Sequence, residues 1–461
     1  MELIEVINPY SGEVVGTCPR ASVAEVNEVL TRSAEAFQVW RKKPVAERVK
    51  LQHEATKLIR QEIDSLAHTL ASELGRPLAG CHHEISRSAD LLDFYAQEAL
   101  RLKGEIPLHN LDGEKALVVR EPVGVVVAIT PFNYPITLLC MKLGAALPVG
   151  CTVVAKPSED TPLSTLRLAE IFLKAGFPID VFQVITGYGF EIGDALVEHP
   201  ATAKIAFTGG TATGKRIGAL AAQHNKRVTL ELGGQSPAIV CEDADLSVAV
   251  GAIVKHAFAN SGQFCYRVNR VYVHEKIYTH FVEEAARLAK NLKVGNPLSG
   301  CDMGPMINEK IYRNAEKQVA DAQEKGARVC SGGSRLQTEE YVNGWFFPPT
   351  ILADTNHHMQ IMTEETFGPV LGIMPFSTNE EAIQAANDSP YGLAAYVFSE
   401  QLGIGLRIAE QLEAGSVWVN NIHRSYQDVP FGGMKQSGIG REKGRYGLED
   451  YTELKTIYLN Y

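Results

Sequence analysis

The 461-residue chain is 45% hydrophobic and 21% charged, and carries 44 basic against 54 acidic residues for a net charge of −10. This is too long for one ordinary core and predicts two or three domains, while the acidic balance and lack of a lysine- or arginine-rich run give no sign of a nucleic-acid or anionic-membrane binder. The eight cysteines are scattered without a Cys-x-x-Cys pair, so neither a disulfide framework nor a metal site is expected, and a reducing cytoplasm is the expected location.

The first residues, MELIEVINPYSGEVVG, contain no apolar stretch of signal-peptide length. Ser22-Val-Ala-Glu25 has the capping-box pattern, and Val26, Leu30, Ala34 and Phe37 follow at helical spacing. Residues 45–74 read as one long amphipathic helix. From 123 onward short β-rich runs (VGVVVAIT, CTVVAKP, FQVIT, KIAFTG, VTLEL) alternate with helical stretches near 135–148, 162–175, 190–198 and 213–225. That alternation predicts a parallel sheet covered on both faces, with ligands at the carboxyl ends of its strands. The apolar stretch 138–155 holds Lys142, Gly144, Pro148 and Gly150, which suits a core helix plus strand better than a membrane span. A second alternation from about 236 to 430 suggests a second α/β domain. The final YTELKTIYLNY alternates as a strand that pairs either with another subunit or with a distant hairpin.

Four local features bear on chemistry. Gly209-x-x-x-x-Gly214-Lys215 follows a strand and opens a helix, as a P-loop does, but Arg216 stands where a P-loop needs Ser or Thr. A helix N-terminus offering free N–H groups to an anion remains. Cys81-His-His-Glu84 is consecutive, so on a helix it fans over several faces and reads as surface. Glu231 ends a strand before Gly233 and Gly234, where a ligand could come close and the carboxylate could act as a base. Cys265, behind Ser-Gly-Gln and beside Arg267 and Arg270, reads either as a small buried hydrophobe or as a thiolate nucleophile.

The ordered set TPFNYP, KPSEDTP, FTGGTATG, ELGGQSP, GQFC, EETFGPV, NDSPYGLAAYVF and PFGGMKQSGIGRE closely resembles the aldehyde dehydrogenase superfamily over essentially the whole chain. The resemblance implies an α/β fold with a Rossmann-like NAD-binding domain (1–103 and 123–233), a catalytic domain (234–433) and a small β oligomerisation element (104–122 and 447–461), assembled as a homodimer or homotetramer. It implies Cys265 as nucleophile, Glu231 as the base for thioester hydrolysis, and the Asn133 amide with the Cys265 N–H as oxyanion hole. NAD, with NADP less favoured, would be held by Thr130, Phe132, Asn133, Lys156, Ser158, Glu159, Gly209, Gly210, Leu232, Glu365 and Phe367. Many relatives have Ser at Gly210 and Trp at Phe132. Glu442 would serve a proton relay or a structural salt bridge. P-loop nucleotidases, cofactor-free cysteine hydrolases and inactive binding members compete poorly with this motif set.

The substrate would be a small aldehyde. Succinate-semialdehyde dehydrogenases are the nearest general resemblance, yet two arginines that such enzymes use for the carboxylate are replaced by Met141 and Ala259. Arg267, His423 and Arg424 suggest instead a different set of cations for an anionic tail, with sulfolactaldehyde and succinate semialdehyde favoured. A broad-specificity, lactaldehyde or phosphorylated-aldehyde enzyme is the alternative, and structural salt bridges are the plain reading of these cations.

Overall fold

Residues 2–108, 113–336, 338–422 and 426–461 are described by the computed structural model. A hairpin of β1 (Leu3–Ile7) and β2 (Val14–Pro19) leads into α1 (Val23–Trp40). The predicted capping box is present: Ser22 Oγ accepts the Glu25 N–H at 3.3 Å and the Glu25 carboxylate accepts the Ser22 N–H at 2.8 Å. The single helix expected over 45–74 is two, α2 (Val45–Gln61) and α3 (Ile63–Leu74). No proline or glycine announces the break. It falls at Glu62, whose carboxylate receives Arg167 at 2.9 Å and Lys174 at 3.1 Å from a later helix. α4 (Leu78–Arg101) carries the Cys-His-His-Glu run. The four side chains do fan out, but Cys81 and Glu84 are buried, which corrects the reading of this run as surface.

After β3 (Glu114–Pro122) comes the first large sheet. Its strands are β4 (Val125–Ile129), β5 (Thr152–Lys156), β6 (Phe182–Val184), β7 (Thr202–Thr208) and β8 (Arg227–Glu231), all parallel. Between them run α5 (Pro135–Val149), α6 (Leu163–Lys174), α7 (Gly189–Glu198) and α8 (Thr211–Gln223). β4 and β5 are nearly continuous apolar runs because helices cover both faces. α5 is buried all round and packs on α4, where an added Cβ on Gly144 would lie 2.7 Å from the Tyr95 ring.

The second α/β region contains β9 (Ser236–Val240), α9 (Leu246–Phe258), β10 (Val268–His274), α10 (Glu275–Lys290), α11 (Glu309–Glu324), β11 (Arg328–Ser331), β12 (Thr350–Ala353), α12 (Gln360–Thr363), β13 (Val370–Phe376), α13 (Asn379–Asn387), β14 (Tyr391–Gly392), β15 (Ala394–Phe398), α14 (Leu402–Ala409) and β16 (Ser416–Val419), of which all the strands but β14 form the second large sheet. The sheet order is β11-β12-β13-β10-β9-β15-β16, parallel except for β11.

The chain then returns to the first sheet. β17 (Met434–Lys435) pairs with β14, and β18 (Gly438–Ile439) adds antiparallel to β8 with Gly438 opposite Glu231. Segment 430–443 therefore pairs with the edge of the first sheet through β18 and with β14, just before β15 of the second, through β17. After α15 (Gly444–Glu449), β19 (Thr452–Asn460) pairs antiparallel with β3, from Thr452↔Pro122 to Asn460↔Glu114. The last strand thus finds its partner in a distant part of the same chain. Leu454, Ile457, Tyr458 and Leu459 remain exposed on this two-stranded ribbon.

Candidate active site

Cys265 sits on a loop that the local sequence cannot hold in a relaxed conformation. Asn260, Ser261 and Gly262 have φ of 48°, 55° and 73° in succession. Left-handed backbone at two non-glycine residues is costly and persists only where the surroundings impose it. They do so here through side-chain hydrogen bonds. Ser261 Oγ donates to the carbonyls of Gly304 (2.8 Å) and Pro305 (3.3 Å). Gln263 Oε1 accepts the Ile307 N–H at 2.9 Å, and its Nε2 donates to the Asn260 carbonyl at 3.1 Å. Asn260 Nδ2 donates at 3.2 Å to the carbonyls of both Gln263 and Asn133. An added Cβ on Gly262 would collide with the Gly368 carbonyl.

Asn133 stands just before α5. Its carbonyl also receives Arg76 Nη1 at 3.4 Å. Arg76 is ion-paired with Glu84, and both are buried. Glu84 Oε1 accepts the N–H groups of Ile136 (3.0 Å) and Thr137 (2.9 Å), where a carboxylate satisfies orphan donors and complements the helix dipole. Asn133 Oδ1 is buried without a hydrogen-bond partner among the described residues.

The two glycines of the Glu-Leu-Gly-Gly run admit parts of the chain itself. An added Cβ on Gly234 would collide with the Cys265 carbonyl, and one on Gly233 would lie 2.5 Å from Glu365 Oε2. The Gly234 N–H donates to Glu365 Oε1 at 3.0 Å. Burial pushes the Cys265 thiol far above its ordinary range, with the Glu365 and Glu231 charges adding to it; the N–H groups of Cys265 and Tyr266 favour the thiolate but are outweighed. Burial also pushes the Glu365 carboxyl up to about 7.

Glu231 ends β8, is buried, and neither carboxylate oxygen has a hydrogen-bond partner among the described residues. Burial and then the Glu442 charge hold its carboxyl well above the ordinary range, against the pull of Lys142, Arg441 and Lys443. An unpaired buried carboxylate is expensive, and such groups concentrate at functional sites. Behind it, Lys142 Nζ pairs with Glu442 at 2.8 Å and donates to Thr208 Oγ1 at 2.7 Å. A lysine inside an otherwise apolar helix was the signal in the sequence that could have found this partner of Glu442.

Beside this group lies a cradle at the strand ends of the first sheet. Thr130 Oγ1 is buried without a hydrogen-bond partner among the described residues. Lys156, also buried, reaches the carboxylate of Glu159 and the Pro157 carbonyl, each at 3.1 Å, and Ser158 Oγ accepts the Asp160 N–H at 3.3 Å. Gly209 N–H bonds to the Glu231 carbonyl at 3.0 Å. Gly210 is the N-cap of α8, and an added Cβ there would meet nothing within 4 Å. Leu232 fills the space left by Gly214. The rings of Phe132 and Phe367 meet edge to face at 5.8 Å.

Arg267 lies elsewhere. It is fully buried, and its guanidinium donates to the carbonyls of Ala257 (3.3 Å), Val268 (3.4 Å) and Val370 (2.7 Å). The backbone turns between Phe264 and Arg267 and sends this side chain into the protein, so its hydrogen bonds go to main chain and not outward, as an anion-binding role would require. His423 and Arg424 lie outside the described residues. Residues that sequence reasoning did not single out for the site are Arg76, Glu84, Asn260 and Lys443. Among the described residues no group of His, Cys, Asp and Glu could hold a metal ion, and no helix is long and apolar enough to cross a membrane.

A model of the aldehyde dehydrogenase family matches residues 1–457. The chain is 40% identical over 460 residues to the 3-sulfolactaldehyde dehydrogenase of Pseudomonas putida, covering 99% of this chain and 94% of the relative. It is 42% identical over 457 residues to the mitochondrial succinate-semialdehyde dehydrogenase of Arabidopsis thaliana, covering 99% and 86%. The crystal structure of betaine aldehyde dehydrogenase from Staphylococcus aureus in complex with NAD+ superposes with a TM-score of 0.98 at 35% identity, covering 100% of this chain and 92% of that one. Whole-length agreement in sequence and fold shows that this chain belongs to the aldehyde dehydrogenase family.

Proposed function

We propose that the protein oxidises a short aldehyde with an anionic tail to its carboxylic acid, using NAD+. The observation that carries this is the strained Cys265 loop, tied through Asn260 to Asn133 and packed against Gly234 of the run that begins at Glu231, whose carboxylate has no hydrogen-bond partner among the described residues. The residues fit a dinucleotide. The open N-terminus of α8 at Gly210 suits a pyrophosphate. Lys156 and Glu159, with Ser158 beside them, suit the adenosine ribose, and Glu365 suits the nicotinamide ribose. Thr130, Phe132, Gly209, Leu232 and Phe367 complete the surroundings.

The Cys265 thiolate attacks the aldehyde carbon, forming the C–S bond of a thiohemiacetal. The oxyanion is stabilised by the Asn133 amide and the Cys265 N–H, an arrangement worth about 3–4 kcal/mol per donor. Collapse of the oxyanion expels hydride, which the nicotinamide of bound NAD+ accepts, and leaves a thioester. Glu231 takes a proton from water, the hydroxide adds to the thioester, and the C–S bond breaks to give acid and free thiolate. The Lys142–Glu442 pair holds polar groups within electrostatic reach of Glu231 and offers the proton a route away.

The anionic tail is supported by the similarity to sulfolactaldehyde and succinate-semialdehyde dehydrogenases. Preference for NAD+ is supported by the Glu159 carboxylate, which would repel a 2′-phosphate. On this reading residues 1–103 and 123–233 hold NAD, 234–433 carry the chemistry, and the exposed ribbon of β3 and β19 joins copies of the chain. The experiment is a turnover panel with both cofactors on carboxylated, sulfonated, phosphorylated and neutral short aldehydes, followed at the reduced-nicotinamide absorbance. Anionic aldehydes with NAD+ should give the highest kcat/KM; absence of turnover with all of them would overturn the reading.

A further inference from the structure

We infer that Asn308 is a positioning residue that holds the cofactor loop and the nucleophile loop in register, through its side chain to Asp160 and through its neighbour Ile307 to Gln263. The inference rests on the oxidation proposed above. It starts from residues 304–308, which lead into α11. Gly304, Pro305 and Ile307 all hold the loop that carries Cys265. The carbonyls of Gly304 and Pro305 receive Ser261 Oγ, and the Ile307 N–H donates to Gln263 Oε1. The segment is itself anchored. The Met306 N–H donates to the Trp345 carbonyl at 2.9 Å, and an added Cβ on Gly304 would collide with the Gly75 carbonyl.

Asn308 reaches the other loop. It is the N-cap of α11, and its Oδ1 accepts the Ile311 N–H at 3.2 Å. That bond fixes which end of the amide is the acceptor, so the group that faces Asp160 is the donor. Asn308 Nδ2 donates to Asp160 Oδ2 at 3.2 Å, across 148 positions of sequence. Asp160 follows Ser158 and Glu159 on the connection from β5 to α6, and its N–H donates to Ser158 Oγ at 3.3 Å. A cavity of about 220 Å³ opens beside the bond, with Glu159, Asp160, Ile307 and Asn308 in its wall. Where open space lies between two segments, a hydrogen bond and not packing sets their distance. Burial and then the Glu159 charge raise the Asp160 carboxyl to about 6, while the Asn308 hydrogen bond and Lys156 pull it down. At neutral pH Asp160 is therefore ionised, and the bond from Asn308 is charge-assisted. One residue thus ties the loop of Lys156, Ser158 and Glu159 to the segment that shapes the turn before Cys265.

The rival role for Asn308 is the cap of α11 alone. Asn308→Ser keeps a capping oxygen but loses the amide group that reaches Asp160. The test measures the NAD+ dissociation constant by equilibrium binding, and kcat on succinate semialdehyde at saturating NAD+. Asn308→Ser should weaken NAD+ binding about tenfold and lower kcat several-fold. Asn308→Asp also caps α11 but sets two carboxylates face to face, and should weaken NAD+ binding about ten- to a hundredfold. Asp160→Asn combined with Asn308→Asp restores a donor opposite an acceptor, with the two exchanged, and should bring both readouts back to within about threefold of the parent. If Asn308→Asp fails to fold, Asn308→Ser and the exchanged pair decide. NAD+ affinity or kcat unchanged in both single variants, or an exchanged pair as impaired as Asn308→Asp, overturns the inference while leaving aldehyde oxidation standing. Failure of the unaltered protein to bind NAD+ or to oxidise any of the short aldehydes overturns the proposed function and the inference with it.

Discussion

The side chain of Asn260 donates to the main-chain carbonyl of Asn133 across 127 positions of sequence, at 3.2 Å. It links Asn133, just before α5, to the strained loop that carries Cys265, and so joins the proposed oxyanion donor to the proposed nucleophile. Asn260→Asp would place a carboxylate against two carbonyls that now accept hydrogen bonds. We expect kcat to fall by about ten- to a hundredfold and stability by about 1–3 kcal/mol. Affinity for NAD+ should stay within a few-fold. Steady-state kinetics, equilibrium cofactor binding and thermal unfolding on the same variant check the three parts.

Gly262→Ala tests the loop's backbone. Its φ of +73° and the nearby Gly368 carbonyl both oppose a side chain. A loss of about 2–4 kcal/mol is expected, larger than a glycine-to-alanine change at a permissive site would give. Denaturant unfolding reads it directly.

The two chemical half-reactions should separate by mutation. Cys265→Ser is expected to abolish nearly all NADH formation while cofactor binding persists. Glu231→Gln should leave the first turnover and slow hydrolysis of the thioester, so that stopped-flow absorbance shows a burst of about one equivalent of NADH. Near-normal steady turnover in Cys265→Ser would end the covalent mechanism.

The Cys265 thiol is raised by burial first and then by Glu365 and Glu231. Ionisation of the free thiol is therefore disfavoured, and its reaction with iodoacetamide should go on accelerating with pH beyond the range of an ordinary thiol. Glu365→Gln removes one of the opposing charges, so the curve should move to lower pH. The same substitution removes a carboxyl raised to about 7. A raised acid binds protons more tightly folded than unfolded, so the stability it provides is present below the unfolded carboxylate value and is lost as pH rises through about 7. The unfolding midpoint of Glu365→Gln should accordingly fall less than that of the parent between pH 5 and 8. Alkylation resolved by peptide mass spectrometry is needed, since Cys301 and Cys330 are also partly exposed.

On the proposed cofactor site, the choice between NAD+ and NADP+ should turn on Glu159, which is held 3.1 Å from Lys156. Glu159→Ser should release Lys156 to face a 2′-phosphate and shift the NADP+ to NAD+ ratio of kcat/KM upward by about tenfold or more. An unchanged ratio would remove Glu159 as the discriminator.

Much of this protein was legible from its residues alone. Strand and helix alternation from 123 to 230 follows from hydrophobic periods and turn residues that are local properties. The capping box at Ser22 is local too. Cys265 and Glu231 could be singled out because their neighbours are glycines and a tight turn, whose purpose is close approach. Other features depended on contacts that no local pattern records. The break at Glu62 coincides with partners on α6, more than a hundred positions later. Glu84 looked like surface because charged residues usually are, yet it is buried by pairing with Arg76 and capping α5. Arg267 looked available to a substrate because it lies two residues from the nucleophile. Only the turn between Phe264 and Arg267 and the register of β10 decide that it points into the protein, where backbone carbonyls receive it. Lys443 carried no motif at all. It gains its place because the backbone pairing of Phe431 with Glu442, a long-range contact that sequence periodicity does not encode, carries it beside the Phe431 ring.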